Sequence, residues 1–127
     1  MVTDKNRSRL WQRTYRTRKR IERQLTKLME RGPFIRGAVY ALRRKCGKEG
    51  CRCEEGHLHQ SWVLAVPHRG RKQTRVVPKG REEEWKLLAG RYRRFRRARA
   101  ELVKLFKQLM ALIDEIEQQR TISPPEG

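Results

Sequence analysis

The sequence predicts an α+β fold: a long antiparallel helical hairpin with a small antiparallel sheet and a zinc-binding loop at its tip. Three observations carry that expectation. Apolar residues recur at alternating steps of three and four through 81–119, and a weaker register of the same kind runs through 8–31. Between them, residues 34–80 switch to short apolar runs separated by glycine and proline, and this stretch holds all three cysteines. A chain of 127 residues has room for one ordinary domain or one elongated helical unit, so residues 1–127 read as a single domain.

The first helix is expected over about 8–31, stopped by Gly32-Pro33. Trp11, Ile21, Leu25 and Leu28 share a seven-residue register, widened by Leu10, Tyr15 and Met29, while the other faces are crowded with arginine and lysine. In the middle block, Phe34 to Arg44 is short enough for a strand or for one or two helical turns. Ser61–Val66 and Thr74–Val77 read as two strands joined through a basic, glycine-containing hairpin tip that holds an exposed His68. A sheet this small is marginal unaided.

The long helix, 81–119, carries the stripe Trp85, Leu88, Tyr92, Phe95, Leu102, Phe106, Leu109, Ile113 and Ile116, bordered by Ala98, Leu105 and Leu112. The tail 120–127 is polar, rich in proline, and expected to be flexible. The first helix is too short to cover the whole stripe. The end around 102–116 is therefore expected to seek a partner helix or a second copy of the chain.

The brace for the sheet is sought in Cys46, Cys51, Cys53, His57 and His59, five metal-type donors within 14 residues of glycine-rich, polar sequence. Zinc takes four such ligands in a tetrahedron, which predicts a closed structural Zn2+ site of Cys46, Cys51, Cys53 and His59, with His57 in reserve. The spacing Cys-x4-Cys-x-Cys is not that of the common paired knuckle.

The run Gly37-Ala38-Val39-Tyr40 through Cys46-Gly47-Lys48-x-x-Cys51-Arg52-Cys53, then Gly56-x-x-His59, resembles a family of small uncharacterised prokaryotic proteins often found near mobile elements and transposases. The likeness continues through Gly70-Arg71-Lys72-Gln73-Thr74, Val77-Pro78 and Tyr92-Arg93-Arg94-Phe95, and covers about residues 33–105. It departs at Gln60-Ser61, where the family has Gly-Pro, and at Trp62-Val63, where tyrosines are usual. The resemblance implies the architecture and His59 as ligand, and no activity.

Charge points to the partner. The chain carries 33 Lys and Arg against 14 Asp and Glu, a net +19. Such self-repulsion is relieved by a polyanion. From Arg91 to Arg99 the arginines at 91, 93, 94, 96, 97 and 99 meet no acid, and like charges three or four apart on a helix repel. A phosphate backbone would neutralise them. The expected nucleic-acid-binding residues are Arg13, Arg16, Lys19, Arg20 and Arg23 on the first helix, Arg71 and Lys72 in the hairpin, and Arg91, Arg93, Arg94, Arg96 and Arg97 on the last helix. DNA is preferred over RNA, although a basic rod bearing aromatics also suits structured RNA.

No phosphate-binding glycine loop, paired carboxylates or nucleophile–base arrangement stands out, so a binding protein rather than an enzyme is expected. The competing reading is an assembly or adaptor protein whose basic side docks an acidic protein. No stretch is apolar enough to span a bilayer, and residues 1–7 lead into no secretory signal, so the expected location is cytoplasmic, nucleoid-associated if the partner is DNA.

Overall fold

The structure, a computed structural model, describes residues 4–44, 50, 56 and 59–126. Five elements follow in chain order: α1 (Asp4–Leu28), β1 (Ala38–Arg44), β2 (His59–His68), β3 (Arg71–Val76) and α2 (Glu82–Arg120). They divide into two compact units, one of residues 1–30 with 95–127 and one of residues 31–94.

The first unit is a pair of packed helices, α1 and the α2 residues from Phe95 onward. Asp4 in the first turn of α1 and Lys27 in its last complement the helix dipole, and Glu82–Glu84 with Arg120 do the same for α2. Arg20 of α1 contacts Glu101, whereas Arg13 and Thr17 share a groove with Leu112 and Glu115, so the helices run antiparallel. The seam is made from Leu10, Thr17 and Ile21 on α1 and from Ala98, Leu105 and Leu112 on α2, all buried. Thr17 enters this apolar seam because its hydroxyl donates to the Arg13 carbonyl at 2.9 Å, four residues back, and Thr14 does likewise to Leu10 at 2.8 Å.

This seam corrects the expected stripe. Leu105 is 0% exposed and Leu112 4%, while Phe106 and Ile113 stand 47% and 42% exposed. The residues expected to border the stripe form its centre, and the helix is turned by one position. Within 102–116 the exposed apolar residues Val103, Phe106, Met110 and Ile113 lie along one side of α2. With 25 residues, α1 matches the length of α2 within this unit.

The second unit holds a three-stranded antiparallel sheet in the order β1-β2-β3. Ala38 pairs with Ala65 and Arg44 with His59, and Val63 pairs with Val76 and His68 with Arg71. The stretch from Phe34 to Arg44, open in the sequence between strand and helical turns, is thus a strand from Ala38 onward. Central β2 buries Val63, Leu64 and Ala65, residues that point to both faces, whereas every residue of edge strand β3 is exposed. The β3 sequence RKQTRV, half of it charged, is suited to an edge that must not recruit another strand.

The first turns of α2 lie against the Trp62 face, where the Lys86 ammonium sits 3.6 Å from the centre of the indole ring. The strap before β1 is tied to the same turns. The Ile35 amide donates to the Leu88 carbonyl at 3.2 Å, and Phe34 packs on Tyr92 with ring centres 5.5 Å apart. At Gly37 a methyl group would stand 2.6 Å from the Ala65 carbonyl oxygen, which restricts this close approach of strap to strand to glycine.

Candidate nucleic-acid interface

On the helical unit, Arg13, Arg16 and Arg20 line a groove of about 360 Å³ with Thr17, Gln108, Ala111, Leu112 and Glu115. Helical spacing explains the convergence. Residues three, four or seven apart share a side of a helix, so 13, 16 and 20 rise along one edge of α1, and Arg23, seven beyond Arg16, continues it. The facing edge of α2 continues from Ala111 back through Lys104 to Arg97, both exposed and each seven residues from the next. Arg20 donates from Nη2 to Glu101 Oε1 at 3.1 Å, which fixes one cation at the rim. Arg13, Arg16, Arg20, Arg23, Arg97 and Lys104 are thereby set against two carboxylates, Glu101 and Glu115. The α2 contributors Lys104, Gln108 and Glu115 do not follow from the sequence, because only the register of the two helices places them.

Lys19 does not belong to this edge. It contacts Glu22 at 3.5 Å and lies 5.5 Å from the Tyr15 ring centre, beside Arg18, which stands 5.0 Å from the same ring. Arg91 is also committed elsewhere: its Nη1 donates to the Pro33 carbonyl at 3.1 Å, and its guanidinium packs on Gly32. It fastens the strap to α2 within the sheet unit. Arg93, Arg94, Arg96 and Arg97 are exposed, the first two in the sheet unit and the others in the helical unit. In the hairpin Arg71 and Lys72 are exposed, with the Lys72 ammonium 5.8 Å from the Tyr40 ring centre, and His68 is exposed as expected.

The expectation of bound Zn2+ is corrected. Among the described residues no group of three or more His, Cys, Asp or Glu side chains lies together in a way that could hold a metal ion. Cys46, Cys51, Cys53 and His57 lie outside the described residues, and of His59 only its backbone place at the start of β2 is described. The described carboxylates are dispersed along helix surfaces, many of them next to arginine or lysine, and do not form a cation cage.

Among the described residues, perturbed ionisation is found at the start of α2. The Arg81 guanidinium holds the Glu84 carboxyl below its usual range, and backbone N–H groups at Glu82 and Gly80 do the same for Glu82. Glu84 in turn raises Arg81. These are features of a helix start rather than of a proton-transfer site. The chain matches no protein-family model, no curated protein and no solved structure. No helix among the described residues is long and apolar enough to cross a membrane.

Proposed function

We propose that the chain is a nucleic-acid-binding protein that grips phosphates through the arginine groove of its helical unit, with double-stranded DNA as first ligand and structured RNA as second. The observation that carries this reading is the convergence of Arg13, Arg16 and Arg20 on one groove. Like-charged guanidinium groups held this close gain when phosphate oxygens replace their counterions, and their planar donors suit bidentate contact. The exposed Arg97 and Lys104 extend the cationic edge along α2. Phosphate contacts of this kind carry no base code, so binding is expected to be tight at low salt and weakly selective in sequence. The role is one of binding, without chemistry on the ligand, as an accessory or regulatory part of a larger nucleoprotein system.

Fluorescence anisotropy with a short DNA duplex and an RNA hairpin, repeated across salt concentrations, tests this. Replacing Arg13, Arg16 and Arg20 together with glutamine is expected to weaken DNA binding at least tenfold. It should also flatten the plot of log affinity against log salt by about 0.9 for each phosphate that the variant leaves unneutralised. Arg18→Gln with Lys19→Gln, which removes two charges from beside Tyr15, is the control and should cost much less. Equal losses in the two variants would show that net charge alone drives binding, and would refute a role for the groove.

A further inference from the structure

The helical unit has a second face, and it is apolar. Along α2 the residues Arg99, Val103, Phe106, Met110, Ile113 and Glu117 follow one another at steps of four, three, four, three and four. Its four apolar members are 42–55% exposed, although each is large and sits on a well-formed helix. At about 100° per residue, this row is turned by roughly a third of a circle from the seam of Ala98, Leu105 and Leu112. On α1, Trp11 and Tyr15, 44% and 53% exposed, are turned from the seam in the same rotational sense. In two antiparallel helices packed seam to seam, rotations of equal sense come out on the same side of the pair. The arginine groove is reached by the opposite rotation. One side of the helical unit is therefore cationic, and the other presents six large apolar or aromatic side chains, with Arg18 and Lys19 beside Tyr15 at its edge, where both pair with Glu22.

We propose that this apolar face binds the same face of a second copy of the chain, with the two α2 helices antiparallel about a two-fold axis at the level of residue 108. The row is complementary to itself when read backwards about that point. Phe106 meets the partner's Met110, Val103 meets the partner's Ile113, and Arg99 meets the partner's Glu117. Each pairing occurs twice, once on either side of the axis, as an isologous interface requires. Among the described residues, neither Arg99 nor Glu117 is joined in an ion pair within its own chain, and both are exposed. The same axis suits α1. Arg20 beside Glu101 sets residue 108 level with about residue 13 of the antiparallel helix, so Trp11 falls opposite the partner's Tyr15.

A different partner protein could also cover an apolar face, but it would not require the row to be self-complementary in both size and charge. Charge argues the same way. The chain as a whole repels itself at +19, whereas the α2 row holds one cation and one anion at mirrored ends, and on α1 the Arg18 and Lys19 charges beside Tyr15 are met by Glu22 of the same helix. An exposed apolar patch built from both helices is more than single surface residues account for, and the central aromatics are those favoured in interface cores.

Analytical ultracentrifugation of nuclease-treated protein in reducing buffer at physiological salt tests this directly. The wild-type chain is expected to sediment as a dimer at micromolar concentration. Phe106→Glu with Met110→Glu should yield a monomer of unchanged helical content by far-UV circular dichroism, since both side chains lie outside the seam. Arg99→Glu alone and Glu117→Arg alone should each weaken the dimer several-fold by setting like charges opposite one another. The double variant carrying both changes should recover the wild-type constant. A monomeric wild type up to 100-fold higher concentration, ~100 µM, would overturn the proposal, because isologous interfaces of ordinary size, roughly 800 Å² per partner, assemble well below that. Failure of the double variant to recover would overturn the antiparallel register. Nucleic-acid binding plays no part in these readouts, so they stand apart from the fate of the groove.

Discussion

Arg81 grips Glu84 with both branches of its guanidinium, Nε lying 2.8 Å from Oε2 and Nη2 2.9 Å from Oε1. The pair sits where the chain leaves the turn at Pro78–Arg81, closed by the Arg81 amide donating to the Pro78 carbonyl at 3.0 Å, and enters α2. Because Glu84 and Glu82 are held below the usual carboxylate range in the folded chain, folding is linked to pH at this point. Their contribution is complete above the unfolded value of about 4.3 and is lost as the pH falls through the lower folded values. What these two carboxylates contribute should therefore be lost on acidification below about pH 4. Carbon-detected titration of the Glu84 carboxyl is the measurement. In Arg81→Gln its midpoint should move back up towards that of an ordinary glutamate, while Glu82, held by backbone amides, should keep most of its depression.

The β2–β3 hairpin turns on Arg69 and Gly70, both with positive φ, at 48° and 76°. Two such residues between paired His68 and Arg71 form the loop whose twist matches that of the strands. Glycine accepts this conformation freely, but arginine does not. Arg69→Asn should therefore stabilise the fold by about 0.5 kcal/mol, and Gly70→Ala should destabilise it by about 1 kcal/mol. Urea denaturation of the full chain followed by circular dichroism reads both. A destabilising Arg69→Asn would mean that the arginine side chain, not the turn conformation, secures this loop.

Much of this architecture is legible in the sequence, for identifiable reasons. Gly32-Pro33 and Pro78 to Gly80 mark the breaks at which α1 and β3 have already ended and before which β1 and α2 have not begun. The hairpin tip is announced by Arg69-Gly70, although the strands grow further into it than their apolar cores suggest, because the ladder also pairs Pro67 with Lys72 and His68 with Arg71. The helix rotation is not legible. Phe106 and Leu105 are equally apolar, and a sequence with two overlapping apolar rows does not say which one meets α1. Ala98 is buried in the seam while Phe95 is half-buried and Arg99 exposed, and a small side chain at that position suits the close packing of two helices. For the same reason the arginines of α1 can be named from sequence, but not the α2 residues opposite them, whose identity depends on the register of a neighbour 80 or so positions away. Arg91 escapes a sequence reading because a run of arginines does not show that one of them reaches the Pro33 carbonyl.

The two rows of α2 give the sharpest test of the helix rotation, because the discriminating residues are adjacent in sequence. Leu105 is fully buried in the seam, so Leu105→Ala removes apolar packing and leaves a cavity that α1 and α2 can close only in part. That loss should be about 2–5 kcal/mol. Phe106, 47% exposed, gives up much less when truncated, provided the protein is diluted enough to keep chains apart. Phe106→Ala should then cost below about 1 kcal/mol despite removing the larger side chain. At concentrations where copies associate, the same variant should become distinctly less stable than wild type, because the apolar face then contributes through its partner. Chemical denaturation at two protein concentrations separates the cases: the Leu105 penalty should be large at both, and the Phe106 penalty should grow with concentration. If instead Phe106→Ala proved as damaging as Leu105→Ala at high dilution, Phe106 would belong to the seam and the rotation of α2 would be the one its apolar periodicity first suggests.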